Sequence, residues 1–416
     1  MGPVGSPPVA DQDKRRHPDT DSVALGYDAV RHLGSLKPPV YETSTFVFES
    51  AEAGKRFFEA AYGPRVEADG ETGYIYSRLD SPNLAPAESR LASWEEAVDA
   101  AIFTSGMGAI TSVLLTFLRP GDLVVYSLPT YGGTATLMNG LLRDFGVVTR
   151  SFRSDARRDD LDAIVGDGEL AMVYVETPAN PTNELFDLDL AAGLARDHDA
   201  RLVVDNTFLS PVWQKPIRLG ADLSLHSATK YLGGHSDLTA GAVCGGADDI
   251  AALRRTRYEI GTTPSPSTAW LLTRSLETLR LRVERQTVSA IEVARFLAEH
   301  EKVSTVSHLS LLEEGTVQHD IYERQCEGPG AMVSFQIEGG EAECFRFLDG
   351  MGVIRLSTSL GGTESLASHP WTMSPPTVPD DEKRSLGVTP GLIRLSVGLE
   401  SLDDLIADLD QALTAV

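Results

Sequence analysis

From residue 101 onward the chain alternates short apolar runs with polar, glycine-containing punctuation. AIFT, DLVVYS, VVTRS, AMVYVE, RLVVD, DLSLHS and TAGAVCG follow one another in order. Between them, MGAITSVLLTFL and LAAGLARDHD carry apolar residues at helical spacing. Strands that alternate with helices predict an α/β fold with a mostly parallel sheet covered on both faces. Residues 266–300 have helical periodicity with no proline after Pro266, which predicts one or two long helices. Beyond them AMVSFQI, a helix near 341–350, GLIRLSVG and a last helix near 401–414 predict a smaller α+β lobe. Upstream the pattern is different. Residues 1–21, rich in proline, glycine and charge, read as a disordered arm. Residues 22–78 read as an extended segment, with aromatics scattered through PPVYETSTFVF and GYIYSR as if laid over another surface. The expected organisation is therefore 1–21 arm, 22–78 extended N-terminal segment, 79–265 large domain, and 266–416 connecting helices with a C-terminal domain.

The 416 residues are too many for one simple core, in keeping with two or three lobes. Thirty-six basic and sixty acidic residues leave a net charge of −24, which argues against nucleic acid or an anionic membrane surface as a partner. Cys244, Cys326 and Cys344 share no disulfide or zinc spacing, so free thiols in a reducing compartment are expected. The N-terminal stretch has no apolar core of a signal peptide, and no apolar run approaches the ~18 residues of a membrane span. A cytoplasmic protein is expected.

Ligands of such sheets bind beyond the carboxyl ends of the strands, so the polar residues closing the apolar runs are the place to search. SGMG (Ser105–Gly108) ends one run and opens a helix, and N–H groups at such a turn can hold an anion. Asp205 follows the buried run RLVV; a carboxylate there is either a helix cap or the partner of a cation. HSATK brings Ser227, Thr229 and Lys230 together at another strand end. His226, His235 and Asp237 have no spacing that suits a metal, and none is expected. Singly each feature is ambiguous. Together they supply what pyridoxal phosphate needs: a lysine for its aldehyde, an acid for its ring nitrogen and an anion cup for its phosphate. Asp205 precedes Lys230 by 25 residues (230 − 205), room for one intervening strand, so the two should lie on neighbouring strand ends.

These segments resemble the Cys/Met-metabolism family of pyridoxal-phosphate enzymes, which includes methionine γ-lyase, cystathionine γ-lyase and cystathionine γ-synthase. The resemblance runs from about Pro38 to the C-terminus. It rests on YSR at 76–78, SGMGAI at 105–110, YGGT at 131–134, ETPANPT at 176–182, VVDNT at 203–207, SATKYLGGHSD at 227–237, SLGGTESL at 359–366 and RLSVGLE at 394–400. It implies fold type I of these enzymes, with a seven-stranded sheet, an extended N-terminal arm and a homotetramer built as a dimer of dimers. It also implies that Lys230 carries the cofactor and moves protons, that Asp205 holds the ring nitrogen and that Tyr131 stacks on the ring. Gly106, Met107, Ser227 and Thr229 would hold the phosphate, joined by Tyr76 and Arg78 from the neighbouring subunit. Arg394, with Asn180 and Ser359, would hold the substrate carboxylate.

Within the family the chain looks most like methionine γ-lyase, yet it departs from that pattern. Gly133 stands where a cysteine is expected beside the stacking tyrosine, and Arg257 and Tyr258 stand where a Lys-Asp pair is expected. Thr358 replaces the glutamate of cystathionine enzymes. A small uncharged γ-substituent is the expectation, hence α,γ-elimination on methionine or a similar amino acid. The alternatives are γ-replacement on an O-acylhomoserine and cleavage of cystathionine. A catalytically silent binding protein is disfavoured by the complete set Lys230, Asp205, Tyr131 and Arg394.

Overall fold

The computed structural model describes residues 16–62, 74–374 and 378–416. The seven apolar runs become strands β1 (Asp99–Phe103), β2 (Leu123–Ser127), β3 (Val148–Phe152), β4 (Leu170–Glu176), β5 (Arg201–Asp205), β6 (Leu223–His226) and β7 (Gly241–Gly245). They form one sheet in the order β1-β7-β6-β5-β4-β2-β3. All neighbours are parallel except β7, which runs antiparallel to both β1 and β6. The carboxyl ends of β1, β2, β4, β5 and β6 therefore open on one edge.

Burial alternates between the two faces, as period-2 geometry requires. Val203 packs with Ile110, Val113 and Leu253 on one side, while Leu202 and Val204 pack with Leu161, Leu188 and Leu194 on the other. Both faces are covered by helices, which is why β4 and β5 read as nearly continuous apolar runs. In the edge strand β3 only Phe152 is buried, and its run VVTRS is correspondingly more polar.

The predicted long stretch resolves into two helices, Pro266–Leu276 and Leu279–Glu299. They lie in a third core that also takes in the C-terminal sheet. That sheet joins β8 (Val303–Ser307), β9 (Met332–Ile337), β10 (Arg355–Leu356), β11 (Leu366–Ser368) and β12 (Leu392–Ser396) in the order β10-β11-β12-β9-β8.

Two expectations for the N-terminal part need correction. Residues 1–15 of the expected arm lie outside the described residues, but Pro18–Ala24 is a helix. Proline sits in its first turn, and Asp21 is buried, accepting a 2.7 Å hydrogen bond from Ser93 Oγ. A composition rich in charge reads as disorder only while its charges face water, and this one is anchored. The segment 22–78 is not extended throughout either. Ala51–Tyr62 is a helix whose apolar residues recur at helical spacing, a signal hidden among the scattered aromatics. Residues 63–73 of that segment lie outside the described residues.

Candidate active site

A cavity of about 840 Å³ opens at the carboxyl edge of the large sheet. It lies where ligands of doubly wound sheets bind. Strand register places its floor: Glu176 of β4 pairs with Asp205 of β5, and Asp205 pairs with Leu225 of β6. Lys230 follows β6 directly, so Asp205 and Lys230 do stand at neighbouring strand ends.

Asp205 is 6% exposed. Its Oδ2 accepts from Tyr174 Oη at 3.2 Å, and its Oδ1 accepts from Thr207 N and Thr207 Oγ1 at 3.1 and 2.5 Å. It thus makes the local turn of a capping aspartate and still faces the cavity. Burial pushes its carboxyl upward, opposed by the bonds from Thr207 and by the charge of His226. Removal from water disfavours the anion, and a cation placed beside the carboxylate would restore it.

Lys230 Nζ donates to Ser359 Oγ at 2.7 Å. Burial, and then the like charge of Arg394, lower its ammonium to about 8. Near-neutral acidity suits an amine that must gain and lose protons. Ser359 has φ 85°, a left-handed conformation costly for a serine. That conformation offers its hydroxyl to Lys230 and its carbonyl to Arg394 Nη2 at 2.9 Å. Arg394 comes from β12 and also donates from Nη1 to Asn180 Oδ1 at 3.0 Å. Its Nε is enclosed with no partner. An enclosed guanidinium N–H without an acceptor is costly, so this one is poised for an added anion.

Opposite Lys230, Ser105 caps the helix Gly106–Phe117 through Gly108 N at 2.9 Å. The first-turn N–H groups of Gly106 and Met107 have no helical acceptor. Gly106 is pressed against Ser227; a Cβ there would lie 2.9 Å from the serine Cβ and Oγ. Ser105, Gly106, Met107, Ser227 and Thr229 all line the cavity, as do Tyr131, Asn180, Asp205, Lys230, Ser359 and Arg394. Tyr76 and Arg78 do not. Tyr76 is 40% exposed, and Arg78 Nη1 donates to Tyr258 O at 2.7 Å on the chain's surface.

Sequence reading missed Glu176 although it closes the run AMVYV just as Asp205 closes RLVV. Its Oε2 accepts from Tyr131 N at 2.7 Å and Thr130 Oγ1 at 3.0 Å, and its Oε1 accepts from Asn180 N at 3.2 Å. One buried carboxylate thereby fixes the backbone at two cavity residues. Glu382 and Lys383 were missed too; the helix Asp380–Ser385 brings both to the cavity wall. No short-range pattern distinguishes them from surface charges. Among the described residues no cluster of three or more His, Cys, Asp or Glu is placed to hold a metal, and no helix is long and apolar enough to cross a membrane.

Residues 19–414 match the family model described as Cys/Met metabolism PLP-dependent enzyme. The L-methionine γ-lyase of Pseudomonas putida is 40% identical over 404 residues, covering 95% of this chain and 97% of that one. The cystathionine γ-synthase of Mycobacterium bovis is 37% identical, covering 95% and 96%. In three dimensions, cystathionine γ-synthase from Xanthomonas oryzae pv. oryzae superposes with a TM-score of 0.88 at 35% identity, covering 97% and 99%. A sheet-edge cavity built from a lysine, an acid and a glycine turn, together with similarity over nearly the whole length, leads to one conclusion: the chain belongs to the pyridoxal-phosphate-dependent enzymes of Cys/Met metabolism.

Proposed function

We propose that this enzyme is a carbon–sulfur lyase that performs α,γ-elimination on methionine or a close analogue, consuming one water and giving 2-oxobutanoate, ammonia and a thiol. The residues fit the family's cofactor. Gly106, whose missing Cβ leaves room against Ser227, would hold the phosphate with Met107, Ser227 and Thr229. Buried Asp205 would hold the ring nitrogen, Tyr131 the ring face and Lys230 the aldehyde carbon. When bound, pyridoxal phosphate supplies an electron sink for the bonds broken at the substrate α-carbon. The protein does the rest. Arg394, with its spare Nε and its neighbour Asn180, would take the α-carboxylate. The Lys230 amine, lowered to about 8, would accept the α-proton and return protons to the carbon chain. Tyr131 would hand a proton to the departing sulfur. We take 79–265 as the unit that holds the cofactor and 266–416 as the unit that supplies Ser359 and Arg394. Tyr76 and Arg78, outside the cavity of their own chain, are assigned to the phosphate of an adjacent subunit in a dimer of dimers.

The observation that carries the choice of substrate is the cavity wall away from the sheet. Thr358, Met373 and Val378 line it, a mostly neutral surface, and Gly133 adds no side chain at the edge nearer the sheet. Glu382 and Lys383 on the same wall favour a second reading, in which a longer substrate such as cystathionine presents a charged far end. Lys383 is engaged already, donating to Trp371 O at 3.1 Å and lying 5.0 Å from the Trp371 ring centroid. The first reading is therefore preferred. Turnover of methionine, cystathionine, homocysteine and O-acylhomoserines, followed by 2-oxo acid and thiol release, decides between them. Methionine should give the highest kcat/KM; a preference for cystathionine replaces the first reading with the second.

A further inference from the structure

Beneath the cavity lies a polar cluster that the chemistry above does not use. Glu95 ends the helix Leu84–Glu95 and is 0% exposed; His226 ends β6 and is 1% exposed. Glu95 Oε1 lies 2.5 Å from His226 Nε2 and 3.2 Å from Asn206 Nδ2. Asn206 is the residue after Asp205, and its Nδ2 also donates to Gln214 O at 3.0 Å. Its backbone N donates to Leu225 O at 2.9 Å, which closes the gap between the two strand ends. One carboxylate, fully out of water, thus grips the residue after Asp205 and the residue facing it across β6. A buried carboxylate is costly unless its partners are fixed, so such a pairing holds geometry as well as charge.

We propose that Glu95 is a positioning residue for Asp205: through His226 and Asn206 it locks the ends of β5 and β6, so that Asp205 is presented to the cofactor ring at a fixed distance and angle. This rests on the reading of Asp205 as the ring-nitrogen partner. Two further observations agree with it. The charge of His226 acts on Asp205 in the direction that favours its anion. Glu95 Oε2 and Asn206 Oδ1 are enclosed without partners, so the cluster accepts unsatisfied atoms to keep this arrangement.

The test compares Glu95→Ala, Glu95→Gln and Asp205→Asn as holoenzymes. Cofactor affinity, circular dichroism of the cofactor band, kcat and KM separately, and thermal midpoint are measured for each. Glu95→Ala should weaken cofactor binding and lower kcat by about tenfold each, the order of loss when a residue that orients a binding group is removed. KM should stay unchanged, and the dichroic band should shift with the ring. Glu95→Gln keeps an acceptor for Asn206 and His226, so it should recover part of each loss. A lowered thermal midpoint with unaltered cofactor affinity and dichroism overturns the proposal and leaves Glu95 a packing residue. If Glu95→Ala does not fold, Glu95→Leu, which keeps bulk but offers no acceptor to Asn206 or His226, takes its place, and wild-type affinity and dichroism in that variant overturn the proposal equally. Asp205→Asn separates the two levels. If it is crippled while the Glu95 variants are normal, the positioning role alone fails. If it too is normal, the assignment of Asp205 fails and this proposal with it.

Discussion

On the sheet side of the cavity, Asp205, Ser227 and Lys230 follow the ends of β5 and β6. Their places are set by strand register and by the Thr207 hydroxyl, which donates to Asp205 and accepts from Ser227 N. On the far side, Thr358, Met373 and Glu382 are exposed and come from segments outside the strands. The difference separates two tasks. The sheet side holds groups whose distances must be kept for any amino acid, and burial makes displacement costly. On the proposed function the far side meets the γ-substituent, and its exposed positions can change without disturbing the core. Variants on the sheet side should therefore abolish chemistry for all substrates alike, whereas variants on the far side should redistribute it.

The largest effect is expected at Lys230. Lys230→Ala should remove the long-wavelength absorbance of the lysine-bound cofactor and lower turnover by ~10³ or more, since on the proposed function it deletes the amine that takes the α-proton. The loss should be the same for every substrate in the panel. A variant that keeps both absorbance and turnover would move the chemistry elsewhere. Asp205→Asn should come next, with kcat lowered by ~10²–10³ and KM nearly unchanged. The amide fills the same volume and can still accept from Thr207 N, so circular dichroism of the backbone should report an intact fold. A near-normal rate would leave Asp205 as the cap of a turn.

The same division explains what the sequence revealed. Six strands of the large sheet were legible as apolar runs because both sheet faces are buried there, and the edge strand β3 was legible from the weaker run VVTRS although only Phe152 in it is buried. The acid and the lysine were legible only in combination, because each alone closes its run as a cap or a solvated turn residue would. Glu176 was equally legible and was passed over only because its motif offered no chemical role. Glu95 and His226 were not legible as a pair: 131 residues separate them, and only the packing of the helix Leu84–Glu95 on the large sheet brings them to 2.5 Å. Glu382 and Lys383 failed for the opposite reason, since charged residues in a polar loop look like any solvated surface. The helix Pro18–Ala24 escaped notice because a tertiary contact, Ser93 to Asp21, anchors a stretch whose composition suggested disorder.

On the far side, Thr358→Glu should leave methionine turnover within a few-fold of wild type. It should raise the kcat/KM ratio for cystathionine over methionine by about tenfold, roughly 1.4 kcal/mol. The added carboxylate offers a partner to a distal ammonium, which methionine lacks. An unchanged ratio would mean that position 358 does not meet the γ-substituent, and Glu382 would become the candidate.

The smallest effect, and the sharpest test of the boundary between the two sides, is expected at Gly133. Resemblance to methionine γ-lyase leads one to expect a cysteine here, yet a Cβ at this position would lie 2.6 Å from Tyr131 Cε1 and 2.9 Å from Met107 Sδ. Both atoms belong to side chains that can move, and Tyr131 is 48% exposed. Gly133→Ala should therefore cost little stability, within about 0.5 kcal/mol by chemical denaturation, as for other substitutions away from the packed core. What must yield is the resting position of the Tyr131 ring or of Met107, both of which line the cavity and are proposed to hold the cofactor. Turnover of methionine should fall by a modest factor, ~3–10, because a misplaced proton-transfer group is penalised while the fold is spared. If stability drops and turnover does not, the contact is one of packing, and Gly133 belongs with the rigid sheet side. If both stay at wild-type values, the tyrosine ring rests elsewhere when cofactor is bound, and position 133 has room for the cysteine that the resemblance leads one to expect.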